Sequence, residues 1–167
     1  MFHHGTINVD SIEEKLSQLD WSEYTFRQTR FNVHRETLTV PLLWNEVPSD
    51  IDVPHKWYHA FKDDLAVIEK TLACHIHTAL LIKLPAGKCI PAHVDAAPHF
   101  KLYSRIHIPI VTNPGCIFTV GRESKHMERG HMWEIDNDNK MHSVSNLGSE
   151  DRVHLLIDVK WNLSRTS

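Results

Sequence analysis

Cysteine is scarce and unpatterned. Cys74, Cys89 and Cys116 are odd in number, far apart and without a C-x-x-C pair, which excludes a disulfide framework and a structural zinc knuckle. Long apolar runs are missing too: none approaches the roughly 20 residues of a membrane-spanning helix. The first residues lack the basic-then-apolar layout of a secretory leader. The expectation is a soluble, cytoplasmic protein with reduced thiols and no membrane partner. An excess of one charge is also lacking. The 18 basic and 21 acidic residues are mixed along the chain, so no basic stripe can neutralise a row of phosphates, and nucleic acid is excluded as a partner. With 167 residues there is material for one core and too little for two, so residues 1–167 are expected to form a single domain. Histidine, by contrast, is abundant. Its 14 copies offer the commonest metal ligand among the side chains.

Between Val9 and Leu19, apolar residues fall at spacings of three and four, which predicts a short amphipathic helix. Thr37–Trp44 has the character of a strand interrupted by Pro41, placing it at a sheet edge or bulge. Pro48, Ser49, Asp50, Asp52 and Pro54 predict a loop. From Lys56 to Cys74 the residues Trp57, Ala60, Phe61, Leu65, Ile68 and Leu72 recur with helical spacing. From about residue 76 the pattern changes to short runs broken by turn residues, at 78–84, 103–111, 115–120, 131–135, 141–146 and 152–161. With no helical segment between them, these runs predict an antiparallel barrel or two-sheet jelly roll. The fold class is therefore mainly β with flanking α-helices: a helical and edge-strand part over 1–75 and a β-core over 76–163.

In the extended segment after Pro91, His93 and Asp95 project to the same side because strand side chains alternate. His142 opens a later strand and can supply a third ligand. Two histidines and a carboxylate on one face of an octahedral ion leave positions open, the arrangement that non-haem iron(II) oxygenases use. Arg152 lies at the start of an apolar strand, where its planar fork suits a carboxylate. Arg152, His154 and Leu156 share one face of that strand; Val153, Leu155, Ile157 and Val159 form the other. Arg105 and His107 likewise oppose Ile106, Ile108 and Ile110. Two such strands predict a polar barrel interior that holds an anion rather than two wet faces.

From about Leu81 to Trp161 the chain resembles the aspartyl/asparaginyl β-hydroxylase family of 2-oxoglutarate oxygenases. The matching residues are Leu84-Pro-Ala-Gly87, Pro91-Ala-His93-Val-Asp95, Arg105-Ile-His107-Ile-Pro109, Gly130-His-Met-Trp-Glu-Ile135, His142-Ser-Val144, and Arg152 with its apolar strand. The resemblance implies a double-stranded β-helix of the cupin-like class, with Fe(II), 2-oxoglutarate and O2 as cofactor and co-substrates. It implies His93 and His142 as iron ligands, joined here by Asp95, and Arg152, Arg105 and His107 as contacts to 2-oxoglutarate. Ile82 stands where a polar hydroxyl is expected. Relatives modify either protein side chains or free amino acids, so the resemblance implies an amino acid substrate, either free or as an aspartyl or asparaginyl side chain of a protein or peptide, and does not fix which.

His99, Lys101 and Arg122 are candidates for substrate contact. His3 and His4 are expected at a mobile terminus. Trp133 and Trp161 are expected to pack at the core or rim. Two other readings keep the triad: a cupin-like metal-binding module without oxygenase activity, and a zinc hydrolase whose base would come from Glu123, Glu128 or Asp136.

Overall fold

The computed structural model describes residues 1–44, 54–95 and 98–162. Ten strands make two sheets. The larger is formed by β1 (Phe2–Thr6), β2 (Leu38–Leu43), β3 (Cys74–Leu84), β5 (Ser104–Val111), β8 (His131–Ile135) and β10 (Arg152–Trp161), in the order β1-β8-β5-β10-β3-β2. The smaller is formed by β4 (Cys89–His93), β6 (Cys116–Val120), β7 (Glu123–Lys125) and β9 (His142–Asn146), in the order β4-β9-β6-β7. Every pairing is antiparallel. From β3 onward the chain passes back and forth between the sheets, which is the winding of a double-stranded β-helix, the jelly roll expected from the strand pattern.

The helices cover one face of the larger sheet. α1 (Asp10–Lys15) and α3 (Tyr58–Leu72) bury Val9, Ile12, Phe61, Leu65, Ile68 and Leu72 against Ile106, Ile108, Ile110, Val153, Leu155, Ile157 and Val159. Burying each large apolar side chain stabilises the fold by roughly 1.5–3 kcal/mol, so the 3.6-residue pattern of α3 and the alternation of β5 and β10 meet in one core. α3 stops where Ala73 takes a left-handed conformation, φ 53°, and its N–H caps Glu69 O. The chain then reverses directly into β3.

The opposite face of β5 and β10 turns toward the smaller sheet and carries the polar residues. Arg105, His107, Arg152 and His154 are all buried there. Pro41 sits in β2, an edge strand with an irregular register between Pro41 and Leu43. Of the loop expected from Pro48 to Pro54, the part before Pro54 lies outside the described residues, and Pro54 forms an antiparallel bridge with Leu43.

One expectation is corrected. His3 and His4 belong not to a mobile terminus but to β1, which closes the other sheet edge against β8. His4 Nε2 lies 2.7 Å from Glu134 Oε2, and His3 stacks on His131 and lies tilted against Trp133. A five-residue strand rich in histidine has no alternation to betray it. The segment before β2 also contains a short helix that no periodicity announces, α2 (Phe26–Arg30), followed by a 3₁₀ turn at Asn32–His34. No helix among the described residues is long and apolar enough to cross a membrane.

Candidate metal centre and anion cavity

His93 and His142 are direct cross-strand partners in the β4–β9 pair, and their rings lie 4.2 Å apart. Antiparallel register thus unites two histidines from distant parts of the chain. Asp95 follows β4, and its N–H is anchored to Asn137 O at 2.9 Å. One ligand atom from each of His93, Asp95 and His142 lies within 4.8 Å of the others.

The surrounding hydrogen bonds prepare these atoms for a metal. His93 Nδ1 donates to Pro91 O at 2.8 Å and His142 Nδ1 to Lys140 O at 3.3 Å. Since a carbonyl only accepts, the proton is assigned to Nδ1 in both rings and the Nε2 lone pairs are left for the centre. Asp95 Oδ2 accepts from Arg105 Nη1 at 2.5 Å and from Asn137 Nδ2 at 2.9 Å, while Oδ1 faces His93 Nε2 at 3.6 Å. Burial works against the Asp95 charge, but Arg105 and Asn137 outweigh it and hold the carboxyl below its ordinary range. Burial lowers the His142 pKa, which favours the neutral, ligating ring. Two neutral imidazoles and one carboxylate oxygen fit an iron(II) ion with positions to spare.

The triad opens into a cavity that is partly open to solvent. Arg27, His34, Arg105, His107, Arg152 and His154 line it, with a wall of Ile82, Ile90, Phe118, Val144 and Leu156. Arg152 is 2% exposed. It donates from Nη2 to His154 Nδ1 at 2.7 Å and lies over the Phe118 ring at 5.8 Å. No described carboxylate pairs with it, and burial lowers its pKa to about 10. His107 is buried with Nδ1 lacking a partner. Burial, and then Arg152, push the pKa values of His107 and His154 well below the usual range, so both rings are neutral.

Arg105 lines the cavity, and three of its five N–H donors are engaged by Asp158 and Asp95. His99, a candidate for substrate contact, bonds Asp158 Oδ2 at 3.0 Å and stacks on Tyr103, outside the cavity lining. Lys101 and Arg122 are exposed and do not line it either. The carboxylates considered for a zinc hydrolase are elsewhere: Glu123 binds the N-terminal ammonium and Lys125, Glu128 binds His131, and Asp136 binds Lys140. Among the described residues, Asp95 is the one carboxylate lining the cavity.

Sequence reasoning missed Asp158, Arg27 and His34. Asp158 had a signal, since it shares the parity of Arg152, His154 and Leu156 and interrupts an apolar run with a charge. Arg27 and His34 had none, because their segment has no period.

Known proteins resemble the chain in the same respects. L-proline cis-4-hydroxylase of Rhizobium meliloti (strain 1021) is 30% identical over 78 residues, 47% of this chain and 28% of that protein. The match therefore spans under a third of the relative. A crystal structure of an oxidoreductase of the 2OG-Fe(II) oxygenase family from Burkholderia pseudomallei shares the fold, with a TM-score of 0.59 at 13% identity over 74% of this chain and 67% of that one. The model of the Aspartyl/Asparaginyl beta-hydroxylase family matches residues 6–161. With this match running through both sheets and the triad, the chain belongs to the aspartyl/asparaginyl beta-hydroxylase family.

Proposed function

We propose that this protein is an Fe(II)- and 2-oxoglutarate-dependent dioxygenase that hydroxylates an unactivated C–H of an amino acid, at the β-carbon of an aspartyl or asparaginyl residue or on a free amino acid. The observation that carries this reading is a metal triad and a buried arginine, Arg152, that no described carboxylate neutralises, in one cavity. A metal-binding module has no use for that arginine, and a hydrolase has no second carboxylate on the described cavity wall to act as its base. The name of the Rhizobium relative supports an amino acid as the kind of substrate.

His93 Nε2, Asp95 Oδ1 and His142 Nε2 hold the iron. Bound there, the metal with 2-oxoglutarate and O2 supplies the oxidation, in which 2-oxoglutarate becomes succinate and carbon dioxide and one oxygen atom enters the C–H bond. The protein's own residues position the reactants and exclude water. Arg152 receives the distal carboxylate of 2-oxoglutarate through its planar fork, and His154 fixes that fork by accepting from Nη2. His107 presents its unpartnered nitrogen beside the bound co-substrate. Arg105 orients Asp95 by holding Oδ2, which leaves Oδ1 to ligate. Ile82, Phe118, Val144 and Leu156 give the cavity an apolar wall, which strengthens the polar contacts beside it.

Anaerobic titration of the iron(II)-loaded protein with 2-oxoglutarate tests this. A weak visible metal-to-ligand charge-transfer band is expected, and it is absent from His93→Ala. Bound metal without a band in the unmodified chain returns the protein to the metal-binding or hydrolase readings.

A further inference from the structure

Three guanidinium groups line the cavity, and they are not equally neutralised. Arg105 faces two carboxylates, Asp95 and Asp158. Arg152 faces none and, under the reading above, awaits the co-substrate. Arg27 is a second buried cation with no ion pair among the described residues. It is 6% exposed; its Nη2 meets His34 Nε2 at 2.9 Å and its Nη1 has no partner. Burial, and then the like charge of Arg105, bring its pKa down to about 10. A charge left unpaired in a dry site is costly, so such a site is built for an anion that arrives.

Arg27 and Arg152 reach the metal triad by different routes. Arg27 does so through His34, whose ring stands perpendicular to His93 at 5.4 Å. Arg152 does so across Phe118, whose ring is parallel to His142 at 6.5 Å. One dicarboxylate chelated at the metal and anchored at Arg152 leaves Arg27 unanswered. His34 holds this guanidinium in place. Its Nε2 accepts from Arg27, so the proton is assigned to Nδ1, and Nδ1 too is buried without an acceptor. With Nε2 accepting from Arg27, the His34 ring is neutral and contributes no charge. The cavity therefore offers the unpartnered Nη1 of a buried, charged guanidinium and asks for a group that only accepts. A carboxylate meets that demand on both oxygens; a carboxamide meets it on one and sets its own N–H₂ against donors.

We infer that Arg27, with His34, seats a carboxylate of the substrate, so that the molecule hydroxylated here carries a carboxylate close to the C–H that reacts. This rests on the reading of the cavity as a 2-oxoglutarate-dependent site. The carboxylate is either the α-carboxylate of a free amino acid or the side chain of an aspartyl residue in a peptide.

The test uses the full chain loaded with iron(II) under anaerobic conditions. Binding of 2-oxoglutarate is measured first by the charge-transfer band. The twenty L-amino acids and N-acetyl-L-aspartic acid N′-methylamide are then titrated calorimetrically, and each acid that binds is compared with its amide. At least one carboxylate probe binds, and its amide binds at least about 30-fold more weakly, as loss of a charge-assisted partner in a buried site requires. Arg27→Gln brings the acid down to the level of the amide and leaves the 2-oxoglutarate band unchanged; Arg27→Lys restores part of the difference. Binding by free amino acids identifies the α-carboxylate, and binding by the blocked aspartate alone identifies the side chain. Equal affinity of acid and amide overturns the inference, as does unaltered acid binding in Arg27→Gln, or a chain that binds 2-oxoglutarate but no carboxylate probe. The acid and amide comparison on the unmodified chain decides the matter if Arg27→Gln does not fold. If 2-oxoglutarate itself does not bind, the reading of the cavity fails at the first titration and this inference falls with it.

Discussion

Arg105 and Asp158 are cross-strand partners on β5 and β10, and their side chains close a two-pronged ion pair with N–O distances of 2.8 and 2.9 Å. Burial opposes the Asp158 charge, but Arg105 and His99 hold its carboxyl well below the usual range. The remaining edge of Arg105 reaches Asp95. Asp158, which touches no ligand, thus determines where a ligand points.

Removing Asp158 leaves Arg105 buried with half its counter-charge. Asp158→Ala is expected to lose about 3–5 kcal/mol of stability, the usual result of breaking a buried pair. Its metal affinity should fall about 10- to 100-fold, as when support behind a ligand is lost. Urea unfolding and metal titration measure the two effects. A variant as stable as the parent would show that the pair contributes nothing net.

Arg152→Ala removes a remote grip and no metal ligand. Affinity for 2-oxoglutarate is expected to fall at least about 30-fold, with metal affinity nearly unchanged. Arg152→Lys recovers little, because an ammonium cannot fork across a carboxylate. Equal loss of metal and 2-oxoglutarate binding contradicts the assigned roles.

His107 and His154 are neutral in the fold, and their pKa values lie well below the ordinary 6.5. As pH falls below about 6.5, the unfolded chain takes up protons that the folded chain refuses, so stability is full above that pH and declines beneath it. Each histidine contributes a slope of about 1.4 kcal/mol per pH unit. The depressed carboxyls of Asp95 and Asp158 lose their contribution only at lower pH, below about 4. Urea midpoints of the metal-free protein at pH 7.5 and 5.5 are expected to differ accordingly, and a flat profile would refute the burial of neutral rings.

Gly130 has φ 76°, and a Cβ there would lie 2.5 Å from Ile7 O. The close approach lets Ile7 N bond Gly130 O at 2.9 Å where β1 joins the sheet. Gly130→Ala combines a left-handed backbone with a backbone clash, and is expected to cost about 1–3 kcal/mol. Faster amide exchange in β1 than in β3 would locate the damage.

By itself the sequence determined what local periods and composition can carry. The spacing of Phe61, Leu65, Ile68 and Leu72 announced α3. The alternation around Arg105 and Arg152 separated an aliphatic face from a polar one, and the ordered motifs from Leu84 to Arg152 pointed to the family. Such patterns are legible because helix and strand impose their periods on near neighbours. Tertiary structure alone decided the rest. It set His93 opposite His142, paired Arg105 with Asp158, added β1 to a sheet edge, and brought Arg27 and His34 from an unpatterned segment to the cavity. The physical reason is that register between distant strands, and the counter-charge that each buried ion finds or lacks, are properties of the assembled fold.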